Sequence, residues 1–354
     1  MRSRLAPAVV FLSALAVLAP PAMADTFVGS GDKILIFWNF DSDNATPKHV
    51  ITGANTGLSG VVTLALDPVH REIWAAGVGD ARISVFSMDS FGDVAPVRTI
   101  EGAATGLTSP RGLLLDLQHD EVIVTDFQSD SVLTFPRTQN GDGTPLRTLS
   151  GPTTGLHGPL LGFLDLVHDE LYIPNFVGIN PRIAVFARTA ANGDAPLRTL
   201  EGGASAIDNP RSTLIDLKND LLIVSEYDSA VVRAYPRAAS GGTAPIAEIG
   251  GGLTLLEKPY QLAATVFGNL IVGTDTTGAS ARALYHVPTV PGDVAPDFVL
   301  MGAATLLANP TGVASDFAKD CSWGNSADGC LFRDNFESND LCYWSHVTGG
   351  TACP

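Results

Sequence analysis

Three residue types return together along the chain at a fixed interval, and that interval restricts the fold more than any other property of the sequence. A proline behind a Gly, Asp or Asn turn falls at Pro47, Pro96, Pro145, Pro196, Pro245 and Pro296. An aromatic residue closes an apolar run at Phe37, Phe86, Phe135, Phe186, Tyr235 and Tyr285. An aliphatic residue keeps the same phase at Leu58, Leu107, Leu156, Ile207, Leu256 and Leu307, and all three series advance by 49 to 51 residues. Self-similarity at such a period marks a repeat architecture, whose single unit cannot bury its apolar face alone.

One unit reads in full from Pro96 to Thr144. A short extended run follows Pro96, and residues 101–110 form a Gly-containing loop. Residues 111–115, 121–125 and 132–135 are short, mainly aliphatic or β-branched runs parted by Asp- and Ser-containing turns. Such runs are strand signals, and no segment shows capped helical periodicity. Four short antiparallel strands per unit predict an all-β six-bladed β-propeller with four-stranded blades over residues 25–318. The chain begins and ends inside a unit. Its N-terminal strands (26–29, 34–37 and 48–51) and one C-terminal strand (311–315) therefore combine into the closing blade.

The strings Gly-Leu-Thr-Ser-Pro-Arg-Gly-Leu-Leu-Leu-Asp (106–116), Glu-Val-Ile-Val-Thr-Asp (121–126) and Ser-Val-Leu-Thr-Phe (131–135) resemble the NHL repeat. That pattern has a Pro-x-Gly approach to the innermost strand, an Asp at its end and a second Asp after the next strand. The paired Gly and recurrent Trp of kelch repeats are missing, and so is the tryptophan–aspartate signature. The resemblance implies a fold and no activity, because function lives in sites rather than folds.

The first residues describe a different object. Arg2 and Arg4 precede an apolar run to Leu18, and Ala22-Met23-Ala24 stands before Asp25. A basic start, a short apolar stretch and a small-x-small site predict a secretory signal peptide over residues 1–24. No later stretch is long enough to span a bilayer. The expected location is secreted or periplasmic, with the cell surface as a variant. All four cysteines, Cys321, Cys330, Cys342 and Cys353, fall within residues 319–354. In an exported chain they read as two disulfides, with 321–330 and 342–353 favoured among three possible pairings. Residues 331–345 are similar to an Asp-Gly-Phe-Glu-Ser-Gly-Asp…Trp-Ser segment near the ends of exported bacterial proteins. Asn335 and Asn339 replace its glycines.

The chain carries 37 acidic against 21 basic residues, a net charge of −16. That balance excludes nucleic acid as a partner and polybasic attachment to anionic lipid. Neither a G-x-S-x-G elbow nor an H-E-x-x-H zinc motif occurs. Two rings of positions remain. Ten residues beyond the inner-strand ends Asp67, Asp116, Asp165, Asp216 and Thr265 come Gly77, Asp126, Asn175, Glu226 and Asp275. Four oxygen-bearing side chains on one face suit calcium, with turn capping as the competing account. Propeller enzymes of the lactonase type hold calcium in the central channel. Here the inner strands start with Arg111, Leu160, Arg211, Tyr260 and Thr311, which offer that ion no carboxylate. Arg111 and Arg211, with Tyr260 and Gln261, form the second group, able to receive an anion or to pair with Asp126 and Glu226.

The function that follows is a monomeric, non-catalytic binding propeller without a cofactor, holding a protein or glycan through loops such as 102–110 and 151–159. A calcium-dependent hydrolase or lyase is the alternative.

Overall fold

The computed structural model describes residues 25–38, 41–79, 81–176, 181–264, 270–286 and 291–316. The expected signal segment, the four cysteines and the expected tail lie outside them. The described residues form six four-stranded antiparallel sheets. From the centre outward, the first blade runs Val61–Asp67, Glu72–Gly77, Arg82–Ser87 and Arg98–Glu101. The second is Pro110–Asp116, Glu121–Asp126, Ser131–Pro136 and Arg147–Leu149, and the third Phe163–Asp165, Glu170–Asn175, Arg182–Ala187 and Arg198–Glu201. The fourth is Pro210–Asp216, Leu221–Glu226, Val231–Pro236 and Ala247–Ile249, and the fifth Pro259–Ala264, Leu270–Thr274, Arg282–His286 and Phe298–Met301. The sixth joins both ends of the chain. Gly312–Asp316 pairs with Asp25–Ser30, which pairs with Lys33–Trp38 and then His49–Ile51.

These strands read as near-continuous apolar runs because both faces are covered by neighbouring blades. One cluster packs Phe27 and Ile36 of the closing blade on Leu64 and Ile73 of the first. Another packs Val28 and Phe37 on Ile271 and Leu300 of the fifth. The recurrent aromatic wedges Phe37, Phe86, Phe135, Phe186 and Tyr235 are all fully buried. Each contributes about 1.5–3 kcal/mol of burial.

The outer rim repeats one joint six times. A parallel bridge ties each outer strand to the turn of the next blade: Ile51 to Gly92, Ile100 to Gly141, Leu149 to Asn192, Leu200 to Gly241, Ile249 to Gly292 and Leu300 to Asp43. In four joints the Asp or Asn of that turn also caps the preceding blade's short turn, a 3-10 turn in three of them. Asp142 Oδ1, for example, accepts from the Ala104 amide at 2.7 Å. Asp93, Asp293 and Asn44 do the same for Asn55, Leu253 and Ala304. Gly102 opens the capped turn at φ 120°, and a Cβ there would strike the Asp142 side chain. This explains why a Gly precedes the 3-10 turn and why a Gly/Asp cluster precedes each proline.

Arginines bind the opposite side of the blades. Arg98, Arg147 and Arg198 pair with Glu72, Glu121 and Glu170 across their own sheets. Arg137, Arg188 and Arg237 reach back to Asp67, Asp116 and Glu170 of the preceding blade. In the turns after three inner strands, His70, His119 and His168 each place ring Nδ1 2.8 Å from their blade's buried Asp.

Deletion of residues 309–318 removes the strand that buries one edge of Asp25–Ser30. Calorimetry should then show the melting temperature of the whole ring falling by roughly 10 °C or more. An unchanged main transition with loss of a minor one would show that the C-terminal strand closes nothing.

Candidate functional site at the channel mouth

The inner strands of all six blades line a central cavity of about 160 Å3, walled mainly by aliphatic residues such as Leu113, Leu214 and Val313. Its character changes at the face where these strands begin. In four blades the inner strand carries a register shift next to its first residue, at Val61/Thr63, Pro110/Gly112, Pro210/Ser212 and Pro259/Leu262. A bulge takes a residue out of the ladder and re-aims its side chain. The residues so released are Val62, Arg111, Arg211 and the pair Tyr260-Gln261.

The third blade delivers its residues differently. Pro174, within the second strand, accepts from the Leu160 amide at 2.9 Å but has no N–H to return. The Leu160 carbonyl takes the Thr125 hydroxyl of the second blade instead, at 2.8 Å. Leu161 turns to the fourth blade, exchanging backbone bonds with Arg211 and Thr213 at 3.1 and 3.0 Å. Leu160 and Leu161 thereby join Val62 and Tyr260 in one apolar cluster across the mouth, with Phe127, Phe176 and Tyr227 packed around it. The result is a cup with an aliphatic floor and aromatic walls.

Arg211 stands within that cup. Its guanidinium carbon lies 4.2 Å from the Phe176 ring centroid, 4.3 Å from Tyr227 and 5.6 Å from Tyr260. Burial pulls its pKa below the ordinary arginine value, and its Nε has no hydrogen-bond partner. Arg111 reaches over from the second blade, its Nη1 3.3 Å from the Tyr260 hydroxyl and its guanidinium 5.1 Å from the Phe127 centroid. The expected pairing of these arginines with Asp126 and Glu226 is not found. Both carboxylates turn outward into the loops, where backbone amides compete for them.

Three of the second-ring side chains are held within their own blade, and Asp275 is held by the preceding one. Asp126 accepts from the Thr108 and Ser109 amides at 2.7 and 2.8 Å, and also from Ser129. Asn175 accepts from the His157 amide at 2.9 Å. Glu226 accepts from the Asp208 and Asn209 amides at 3.2 and 2.9 Å. Asp275 accepts the Tyr227 hydroxyl at 2.7 Å, and burial together with this carboxylate raises the Tyr227 pKa. The four do not converge as calcium ligands would. Among the described residues no group of three or more His, Cys, Asp or Glu side chains could hold a metal ion.

Gln261 does not offer its amide to the mouth. Its Oε1 accepts from the Leu64 and Val313 amides, both at 3.1 Å, and its Nε2 donates to the Leu64 carbonyl at 2.8 Å. It pins the fifth blade to the first and sixth, so it belongs to ring closure. The residues sequence reasoning passed over are Phe127, Phe176 and Tyr227. Their signal is plain in retrospect, since each directly follows a second-ring position and recurs with the blade interval.

Glu226 also carries a buried proton. Burial first, then the neighbouring Asp208 carboxyl, raises its pKa to about 9. Burial would raise Asp208 as well, but its hydrogen bond with Glu226 holds it below the usual value. A raised folded-state pKa gives full stability below the unfolded value near 4.5, lost as pH climbs through about 9. Glu226→Gln keeps the donor and the acceptor without that proton. Its melting temperature relative to the native chain should rise steadily from pH 5 to pH 9, whereas parallel profiles would contradict the buried acid. Gln261→Ala strands two amides and a carbonyl from two other blades, and should cost roughly 2–4 kcal/mol in denaturant melts. A loss under about 0.5 kcal/mol, the scale of an ordinary surface substitution, would deny it the closing role.

The architecture has solved counterparts. A chain from a nidogen/laminin complex superposes with a TM-score of 0.61 at 17% identity, covering 83% of this chain and 99% of the other. A protein of unknown function from Bacteroides caccae gives 0.58 at 12%, over 84% and 100%. A functionally unknown protein from Desulfotomaculum acetoxidans DSM 771 gives 0.55 at 11%, over 83% and 99%. No known family's sequence profile matches the chain, and neither does any curated protein. At these identities the likeness establishes the six-bladed fold and nothing finer.

Proposed function

We propose that this chain is an exported, non-catalytic propeller that binds a protein or glycan ligand at the mouth where its inner strands begin. The observation that carries the reading is the aromatic cup. Phe127, Phe176 and Tyr227 recur in three successive blades, and all three remain partly exposed around a floor of Val62, Leu160 and Leu161. Concave apolar sites with a few fixed polar groups are the usual form of a binding pocket. The glycine-rich loops 102–110 and 151–159 open onto this same face and would frame the ligand.

Supporting arguments come from the ends of the chain. The first described strand begins at Asp25, whose carboxylate pairs with Lys48 at 3.0 Å. Removal of a leader after Ala24 would leave that strand whole. The NHL resemblance remains the reading of the repeat unit itself. The nidogen/laminin neighbour comes from an assembly of proteins, which makes a protein ligand a fair alternative to a glycan on the same surface.

Phe176→Ala and Tyr227→Ala test the assignment. Ligands found by glycan array or by immobilised-protein screening should lose tenfold or more in affinity, with melting temperatures within a few degrees of the native chain. Binding that survives both substitutions would place the ligand elsewhere on the ring.

A further inference from the structure

The arginines of this protein fall into two groups. Apart from Arg111 and Arg211, every described arginine lies within ion-pair distance of an Asp or Glu. Among the described residues those two have no carboxylate partner, in a chain where acidic residues outnumber basic ones by 37 to 21. They also share one small space. Arg111 touches the Tyr260 hydroxyl at 3.3 Å, and Arg211 stands 5.6 Å from the centre of the same ring.

This arrangement works against folding. Two like charges stand against the same ring in a partly dry cup, and desolvating an ion is costly unless an opposite charge stands close. Ring contacts return only part of that cost and do not cancel the charge. Arg111 gives Nε to the Ser109 hydroxyl and Nη1 to Tyr260, which leaves its Nη2 and the Arg211 fork to present N–H groups to a planar carboxylate. We propose that Arg111 and Arg211 form a carboxylate receptor, and that its ligand is a glycan ending in a single acidic sugar. This rests on the cup being the binding site.

Two observations favour a sugar over a peptide carboxylate. Peptide termini are usually captured by free backbone amides. Here the amides lining this face at Thr108, Ser109, His157, Asp208 and Asn209 are already taken by Asp126, Asn175 and Glu226. A sugar ring needs none of them, because the faces of Phe176 and Tyr227 can receive its apolar side while the guanidiniums hold its acid. The second observation is the net charge of −16, which opposes a polyanion and admits one carboxylate directed at a local cationic spot.

Titration calorimetry of the full chain with glucuronate, glucuronate methyl ester, glucose and a short peptide with a free C-terminus decides the matter. Glucuronate should bind at least tenfold more tightly than the ester, glucose or the peptide. Arg111→Gln and Arg211→Gln should each erase that preference. If Arg211→Gln fails to fold, Arg111→Gln still reads the same charge. Equal binding of glucuronate, ester and glucose would overturn the carboxylate receptor, yet keep the binding reading if Phe176→Ala abolishes it. Tighter binding of the peptide would overturn the glycan. No binding by any probe would overturn this proposal, and the cup itself falls if Phe176→Ala and Tyr227→Ala leave array-identified ligands unaffected.

Discussion

A blade of this ring has no face that it can leave uncovered. Its central strands are apolar on both sides, so each sheet is stable only while wedged between two others. The six rim joints follow from that requirement. They tie each outer strand to the turn of the next blade with a backbone bridge, and in four of them a carboxylate or amide side chain also caps the turn behind it. Because the bridge recurs at all six places, an error at one joint exposes apolar surface on two sheets.

Closure is therefore the demanding step. Five blades are continuous in sequence, and the sixth must be assembled from segments nearly three hundred residues apart. The strand pairing of Gly312–Asp316 with Asp25–Ser30 supplies the backbone bonds. Ser30 adds to it, its hydroxyl accepting from the Ala308 and Asn309 amides at 2.7 and 3.0 Å. Gln261 contributes from the inside, tying the blade before the seam to those on and after it. Long-range contacts of this kind are costly in chain entropy and form late, so their strength sets how well the ring resists opening.

Much of this was readable in the sequence because the joint is made of residues with unusual conformational demands. Gly102 and its equivalents, and the Gly/Asp turns before each proline, recur because the backbone accepts little else there. The closing blade followed from where the repeat phase begins and stops. The mouth was harder to read. Arg111, Arg211 and Tyr260 were found because they break a pattern, but their partners depend on how the bulges turn them, which spacing does not encode. Gln261 looked like a mouth residue for the same reason, since its position is only one beyond Tyr260. The aromatic walls were hidden by a more conspicuous neighbour, as Phe127, Phe176 and Tyr227 each follow an oxygen-bearing residue that drew attention as a metal ligand.

The second ring and the cup are better understood as one device. Asp126, Asn175 and Glu226 fix the loops by consuming the amides that lead into each inner strand. Those loops end where Arg111, Leu160 and Arg211 enter the mouth. Fixing them from outside leaves the inward side chains free of local partners, which is why the rings can surround Arg211 without a carboxylate intruding. Asp275 completes the arrangement differently. It holds the Tyr227 hydroxyl at 2.7 Å, so the ring beside Arg211 is itself anchored by an acid that does not touch the guanidinium. A cation set among anchored rings, with its nearest acids already engaged, keeps its charge available to whatever enters the cup. Stability alone gives no reason to build such a place, whereas recognition of an anion does.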